Sequence, residues 1–179
     1  MFNFSNQNKI SQPIKPIEKI KFKLYNQPVV RDMAILLCYF NPCKYNRIIQ
    51  NALVIKHLFD CAKIPYFISE IAYKDCDFLF SPGENIFQYR SNSYMFYKEN
   101  LIVTMEKQIS SIYSKICMID FDIFFDNPEW YSIISDKLNR VSVTQPFTKA
   151  YYLNLDYSIS TTRTNCIDKK TTDMIDYSI

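Results

Sequence analysis

Residues 115–130 read Lys-Ile-Cys-Met-Ile-Asp-Phe-Asp-Ile-Phe-Phe-Asp-Asn-Pro-Glu-Trp, and this stretch decides which fold the chain can adopt. Residues 116–119 are an unbroken apolar run, which is typical of a strand buried on both faces of a sheet. The run ends at Asp120 and Asp122, which are separated by Phe121. Because side chains alternate along a strand, both carboxylates are expected on the same side. The sequence therefore predicts a buried strand with two acids at its carboxyl end.

Two neighbouring carboxylates at a strand end have two interpretations. Like charges so close repel each other, and a divalent cation that prefers hard oxygen ligands, Mg²⁺ or Mn²⁺, relieves that repulsion. Alternatively, the acids lie in water or cap a turn, since an Asp-x-Asp motif is short and weakly specific. The position after a buried strand favours a site, because α/β sheets bind ligands at the carboxyl ends of their strands.

The first half of the chain contains the pattern of a βαβ unit. Residues 33–40 are a second apolar run, followed by Asn41 as a helix N-cap and Pro42 as the first helical residue. The helix predicted over residues 43–63 has an apolar face made of Ile48, Ala52, Ile55, Phe59 and Ala62. Residues 66–72 form the next predicted strand. A strand, a helix and a strand of these lengths indicate a parallel pair with a right-handed crossover.

The middle of the chain is predicted to hold a loop, a short strand and a second helix. The loop covers residues 74–84, where the only glycine lies, and the strand covers residues 85–89. Asn92 or Ser93 would cap the helix, which runs to about Ser110.

Lys98 heads an otherwise apolar stripe of this helix, completed by Ile102, Met105 and Ile109. A lysine in this position would lie near ligands bound at the strand ends. The alternative is that its aliphatic stem packs on the protein while its ammonium group stays in water. The sequence leaves both interpretations open.

The remaining elements complete one predicted domain, residues 33–159. A helix is expected to open at Asn127-Pro128 and to turn Trp130, Ile134 and Leu138 inward, and residues 141–144 read as a half-buried strand. Residues 1–32 are predicted to be an N-terminal arm whose alternating segment, 19–25, forms an edge strand with outward lysines. Residues 160–179 are polar and are predicted to be a poorly ordered tail.

Composition excludes several classes of protein. The chain has 179 residues, enough for one domain with a sizeable core, and its formal charge of +3 does not suggest a nucleic-acid partner. The six cysteines form no Cys-x-x-Cys pair and there is one histidine, so a structural zinc site is not expected. That histidine, His57, has no neighbouring nucleophile in the sequence and is assigned to packing or surface. No segment resembles a signal peptide or a membrane span, which predicts a cytoplasmic protein, in the host cytoplasm if it is viral.

The ordered set of motifs resembles a known family. Residues 39–42 read Tyr-Phe-Asn-Pro, 96–101 read Phe-Tyr-Lys-Glu-Asn-Leu, and 119–125 read Ile-Asp-Phe-Asp-Ile-Phe-Phe. Asn-Pro-Glu-Trp follows at 127–130 and Gln-Pro-Phe at 145–147. Together these resemble nucleotide-sugar-dependent glycosyltransferases of the GT-A fold, especially those encoded by large DNA viruses. The resemblance covers roughly residues 33–150. It implies a Rossmann-like α/β fold with a mixed, mainly parallel sheet flanked by helices.

The resemblance also implies roles for particular residues. Asp122 would coordinate a Mn²⁺ or Mg²⁺ ion that bridges the diphosphate of a sugar nucleotide, with a UDP-sugar favoured. Asp120 would contact the ribose, or the metal through water. Lys98 would approach the phosphates. The strand end, made of Tyr39, Phe40 and Asn41, would shape the pocket for base and ribose.

One departure from the family leaves the activity open. Such enzymes continue into a second half that binds the acceptor and supplies any catalytic base, whereas little structured chain is predicted after residue 147. The chain is therefore expected to lack the acceptor half, and Asp156 is the only weak candidate for a catalytic residue. The acceptor would be a glycan or glycoprotein of viral origin, and no oligomeric state is predicted.

Two other functions compete with glycosyl transfer. A catalytically silent module that binds a nucleotide sugar or acts as a scaffold would keep the same fold and the same donor site. A haloacid-dehalogenase-like phosphatase also places Asp-x-Asp after a buried strand. That motif usually follows the first strand and continues into small residues, whereas here Ile-Phe-Phe follows it.

Overall fold

A four-stranded parallel sheet forms the centre of the protein. The computed structural model describes residues 23–95, 97–153 and 159–164. The strands are β1 (Met33–Phe40), β2 (Tyr66–Tyr73), β3 (Ile86–Ser91) and β4 (Lys115–Met118), in the spatial order β3-β2-β1-β4. Each of the three strand pairs is parallel. The predicted α/β class, with a mainly parallel sheet, is therefore confirmed.

In the described residues, three helices cover the two faces of this sheet. They are α1 (Asn46–Ala62), α2 (Lys98–Ile109) and α3 (Trp130–Lys137). Alternate residues of β1 explain the arrangement: Met33, Ile35 and Leu37 belong to the core cluster that contains α1 and α3. Ala34 and Leu36 pack instead with Met105 and Ile109 of α2. Because β1 is apolar on both sides, it requires a helix layer on each.

The strand order places a topological switch point between β1 and β4. From β1 the chain passes through α1 to β2 on one side, and later returns through α2 to β4 on the other side of β1. In open α/β sheets, ligands bind in the crevice at the carboxyl ends of the strands where the order reverses. Strand β4 ends at Met118, opposite Leu36, and the chain after it continues toward the carboxyl end of β1, where the Phe121 ring lies 6.0 Å from the ring of Tyr39.

The β4 strand differs from its prediction. It lies at the edge of the sheet and pairs only with β1 in the described chain. Cys117 is buried, but Met118 is 59% exposed, because an edge strand is covered less completely than a central one. The prediction of a strand buried on both faces was therefore wrong. The strand also ends at Met118, so the two acids lie in the following loop, and the strand alternation that was expected to place them on one side does not apply to them.

The helices begin later than their sequence signals predict. Helix α1 starts at Asn46. Before it, the side-chain amide of Asn41 makes two hydrogen bonds with the backbone of Tyr45: it accepts from the N–H (2.9 Å) and donates to the carbonyl (3.0 Å). These bonds hold residues 41–45 in a turn in which Lys44 has a φ of 53°. Asn41 is thus not the N-cap. Of the predicted apolar face, Ile48 is 36% exposed and the other residues are buried.

Helices α2 and α3 show the same shift. Near the predicted caps of α2, the Ser91 hydroxyl accepts a hydrogen bond from the N–H of Ser93 (3.1 Å), and the helix begins only at Lys98. Asn127 accepts from the N–H of Glu129 (2.9 Å) in a local turn, and α3 begins at Trp130. Asn and Ser side chains favour such turns as readily as caps.

The segments after α3 differ from prediction in part. Residues 141–144 form no strand. An antiparallel hairpin follows, made of β5 (Lys149–Leu153) and β6 (Ile159–Thr164), so the first residues of the expected tail belong to a strand. Residues 23–25 of the predicted edge strand are not in a strand, and residues 19–22 lie outside the described residues, as does Asp156. Within the described ranges, no helix has the length and apolar character needed to span a membrane.

Candidate functional site

The two acids of the Asp-x-Asp motif lie in a turn directly after β4. The N–H of Ile123 donates to the carbonyl of Asp120 (3.2 Å), which places Phe121 and Asp122 at the two central positions of the turn. The Asp120 side chain is 51% exposed, and Asp122 is also exposed. Both residues are thus accessible to solvent in the turn that follows β4.

Phe121 anchors this turn to the core. Its ring lies 6.0 Å from the ring of Tyr39 in an edge arrangement and 5.8 Å from the ring of Phe80 in a stacked one. Tyr39 and Phe80 also contact each other at 5.4 Å. All three rings are buried, and aromatic contacts of this kind add to the energy of apolar burial. The cluster therefore fixes the turn against the end of β1.

Lys98 reaches the turn from the opposite helix layer. It is the first residue of α2, and its ammonium group forms an ion pair with the Asp120 carboxylate. The two side chains are 29% and 51% exposed, so the pair remains accessible to water and to ligands. An ion pair this exposed contributes little to stability. The structure thus brings together two residues that the sequence singled out separately.

Cys38 lies beside the ion pair on the α2 side of β1. Burial raises the pKa of its thiol to about 12, since the nearby Lys98, which lowers the pKa, does not outweigh burial and the carboxylates of Asp120 and Glu99. Burial therefore disfavours the thiolate form of Cys38.

The predicted pocket residues at the end of β1 occupy different positions. Tyr39 is buried on the face covered by α1 and α3, whereas Phe40 packs on the other face near Ile71 and Leu101. The amide of Asn41 is engaged by Tyr45. All three residues lie at the end of β1. The described contacts of the Asn41 side chain stabilise the loop that follows the strand.

Asp120 and Asp122 are the residues of the turn that could hold a hard divalent cation. In the described part of the chain, no three His, Cys, Asp or Glu side chains are grouped so that they could hold a metal ion. Mg²⁺ commonly binds through one or two carboxylates together with substrate phosphates and waters, without a complete cage of protein ligands. Asp120 and Asp122 supply that number and kind of ligand.

Glu70 belongs to the support of the site, and the sequence analysis missed it. It lies within β2 and is 1% exposed. Its carboxylate accepts hydrogen bonds from the backbone N–H of Leu79 (2.5 Å), the N–H of Phe80 (3.2 Å) and the Gln88 amide (3.2 Å). Because Phe80 stacks on Phe121, this carboxylate indirectly positions the acidic turn. A glutamate in the middle of an apolar strand is the signal that could have identified it.

Comparisons with known proteins assign the chain to no family. The chain matches no protein-family model, and no curated protein or solved structure is significantly similar to it. The class of protein is therefore defined by its fold and site: a doubly wound α/β domain with carboxylates and a lysine at its switch point.

Proposed function

We propose that this domain binds a nucleoside diphosphate sugar at the carboxyl ends of β1 and β4 and acts as a glycosyltransferase. The contact between Lys98 and Asp120, at the place where the strand order reverses, carries this proposal. The Lys98 ammonium group and the two exposed carboxylates at that point suit a ligand that carries a charged diphosphate and a bound metal ion. A UDP-sugar is the favoured donor, with Mn²⁺ or Mg²⁺ as cofactor.

Each residue of the crevice has a distinct role in this proposal. Asp122 and Asp120 hold the divalent ion, which when bound acts as a Lewis acid on the phosphate oxygens of the leaving nucleoside diphosphate. Lys98 places a positive charge beside the same oxygens, where negative charge develops as the sugar departs. A lysine is a point charge on a flexible stem, so it can turn from Asp120 to a phosphate without a strict geometric requirement.

The neighbouring elements support this arrangement. The backbone N–H groups at the start of α2 favour anions, and Lys98 is the first residue of that helix. The aromatic cluster of Tyr39, Phe80 and Phe121 holds the acidic turn in place before a ligand arrives. A preorganised site avoids part of the entropic cost of ordering on binding.

Thermal unfolding with UDP and with UDP-glucose, each with and without Mn²⁺, tests the proposal. A ligand at 100 times its Kd stabilises by about 2.7 kcal/mol. For a chain of this size, that stabilisation corresponds to a rise in Tm of roughly 5–10 °C. We expect this rise with Mn²⁺, and its Mn²⁺-dependent part should disappear in Asp122→Asn.

Asp126→Asn is the matched control, because Asp126 lies in the same loop with its side chain 97% exposed. It should keep the full Mn²⁺-dependent shift. An absent shift with every nucleotide and metal combination would contradict the proposal. Binding without release of sugar from UDP-glucose, with water or any glycan acceptor, would favour the alternative of a silent nucleotide-sugar-binding module.

A further inference from the structure

Helix α1 carries an exposed His–Cys pair far from the crevice. His57 and Cys61 are four residues apart, and the Cys61 Sγ lies 3.6 Å from His57 Nε2 and 3.9 Å from Nδ1. The expectation that His57 has no neighbouring nucleophile was therefore wrong. Both side chains are exposed, and His57 is the only histidine of the chain. The last turns of α1 lie near the start of β2, where the Tyr66 hydroxyl donates to Asp60 (2.6 Å). The pair is therefore near the amino ends of the strands, opposite the acidic turn.

The separation of the two side chains matches the geometry of zinc ligands. A tetrahedral zinc ion bonded to sulfur at about 2.3 Å and to nitrogen at about 2.0 Å holds these two atoms about 3.5 Å apart. The Sγ–Nε2 distance of 3.6 Å is close to this separation. Residues four apart lie on the same side of a helix, so both ligands are available on one exposed face of α1.

We propose that His57 and Cys61 form half of a zinc site, and that two copies of this chain share one Zn²⁺ ion. Structural zinc sites are closed, with four protein ligands. The described part of one chain supplies no third His, Cys, Asp or Glu to this group. A second copy related by a twofold axis supplies the same pair and completes a set of two sulfurs and two nitrogens. Each thiol loses its proton when the ion binds.

The surface around the pair is compatible with a second copy. Leu53 lies one turn before His57 on the same row of side chains and is 41% exposed, so it extends the ridge with an apolar contact. Such i±4 ridges of two helices interdigitate at a crossing angle of about −50°. The adjacent charges belong to Lys56 and Asp60, which pair with each other at 2.8 Å. They cancel, and so they do not repel an identical surface.

Sedimentation velocity under reducing conditions, with Zn²⁺ as the only added metal, tests this proposal. We expect the wild-type chain to change from monomer to dimer at one zinc ion per two chains, and to return to monomer when a chelator is added. The dimer should be lost in His57→Gln and in Cys61→Ser. Cys43→Ser is the control and should still dimerise, since Cys43 is exposed in the turn before α1.

Cobalt provides a readout that a change in folding would not imitate. Co²⁺ added in place of Zn²⁺ should give a thiolate-to-metal absorption band in the wild-type chain and in Cys43→Ser. The band should be missing in Cys61→Ser. An unchanged mass with Zn²⁺, one zinc per monomer, or a dimer that survives the chelator or either ligand variant would overturn the proposal.

Discussion

At the scale of single residues, the ion pair between Lys98 and Asp120 is the contact on which the proposed function depends most. The sequence singled out Lys98 as the head of an apolar stripe and Asp120 as one of two neighbouring acids. The sequence placed Lys98 near ligands at the strand ends as one of two interpretations, but its direct pairing with Asp120 depends on how α2 packs against the sheet and was not predicted. In the free protein the pair keeps the ammonium group beside the acidic turn.

Replacement of Lys98 by Met should weaken nucleotide binding. Methionine keeps much of the apolar stem and removes the charge, so we expect UDP affinity in Mn²⁺ to fall by about 1 kcal/mol or more, as for one charge-assisted hydrogen bond. In titration calorimetry this is roughly a fivefold rise in Kd. Lys107→Met, in the last turn of the same helix, should bind as the wild type does. Equal affinity in all three proteins would mean that Lys98 only packs its stem on the surface.

At the scale of elements, the loop between β2 and β3 is held by one buried carboxylate. Glu70 accepts from the N–H groups of Leu79 and Phe80, and the Gln88 amide joins Glu70 to the Phe80 carbonyl (2.8 Å). Residues 74–85 contain no helix. The loop is instead held against the sheet by these hydrogen bonds and by the burial of Phe80. The loop then supplies one ring of the cluster beneath the acidic turn.

Glu70→Gln should destabilise the protein and weaken the site together. The amide has the same shape but presents one N–H₂ group to backbone donors, so at least one buried N–H loses its acceptor. We expect a loss of about 1–3 kcal/mol in the free energy of unfolding. Denaturant unfolding measures it, with Glu84→Gln as the control because Glu84 is exposed in the same loop. A wild-type stability for Glu70→Gln would show that the loop is held by apolar packing alone.

At the scale of the whole molecule, a polar cluster joins β1, β4 and α3 at the end opposite the crevice. Lys115 Nζ lies 2.5 Å from Asp32 Oδ2 and 3.0 Å from Ser135 Oγ, and Ser135 donates to Asp32 Oδ1 (2.6 Å). The Lys115 side chain is 9% exposed and that of Asp32 is 32% exposed. Partial burial raises the pKa of Asp32, but the hydrogen bonds and charge of Lys115, with Ser135, lower it below the ordinary value of 3.8.

The lowered pKa predicts how this cluster responds to acid. Its contribution to stability is fully present above the unfolded-state pKa of about 3.9 and is lost as the pH falls through the lower folded-state pKa. Lys115→Met should therefore cost about 1.5–3 kcal/mol near pH 7, the range of a hydrogen bond to a charged group.

Urea unfolding of both proteins between pH 7 and pH 3 measures this dependence. We expect the difference in stability between the wild type and Lys115→Met to shrink below about pH 4, because Asp32 becomes protonated in both proteins. Lys107→Met, in the last turn of α2, serves as the comparison variant and should show no such pH dependence. A difference between wild type and Lys115→Met that stays constant down to pH 3 would rule out Asp32 as the responsible group.

Local patterns in the sequence were enough to predict the two strands of the first βαβ unit. Strand β1 was predicted at residues 33–40, where it lies, and strand β2 was predicted to within one residue of its end. The residues of a strand that is buried on both faces of a parallel sheet are predominantly apolar. Such a strand can therefore be recognised from its own residues. The starts of the helices were predicted less well, since Asn and Ser form turns with their neighbours as easily as they form caps.

Contacts between distant segments were decided by the tertiary structure alone. The order β3-β2-β1-β4 makes β4 an edge strand, and no property of residues 115–118 themselves records that position. The same order brings Lys98 to Asp120. By itself the sequence determined that two acids follow a strand in an α/β domain. Only packing decided which side chains meet them, because such contacts depend on the relative placement of whole elements.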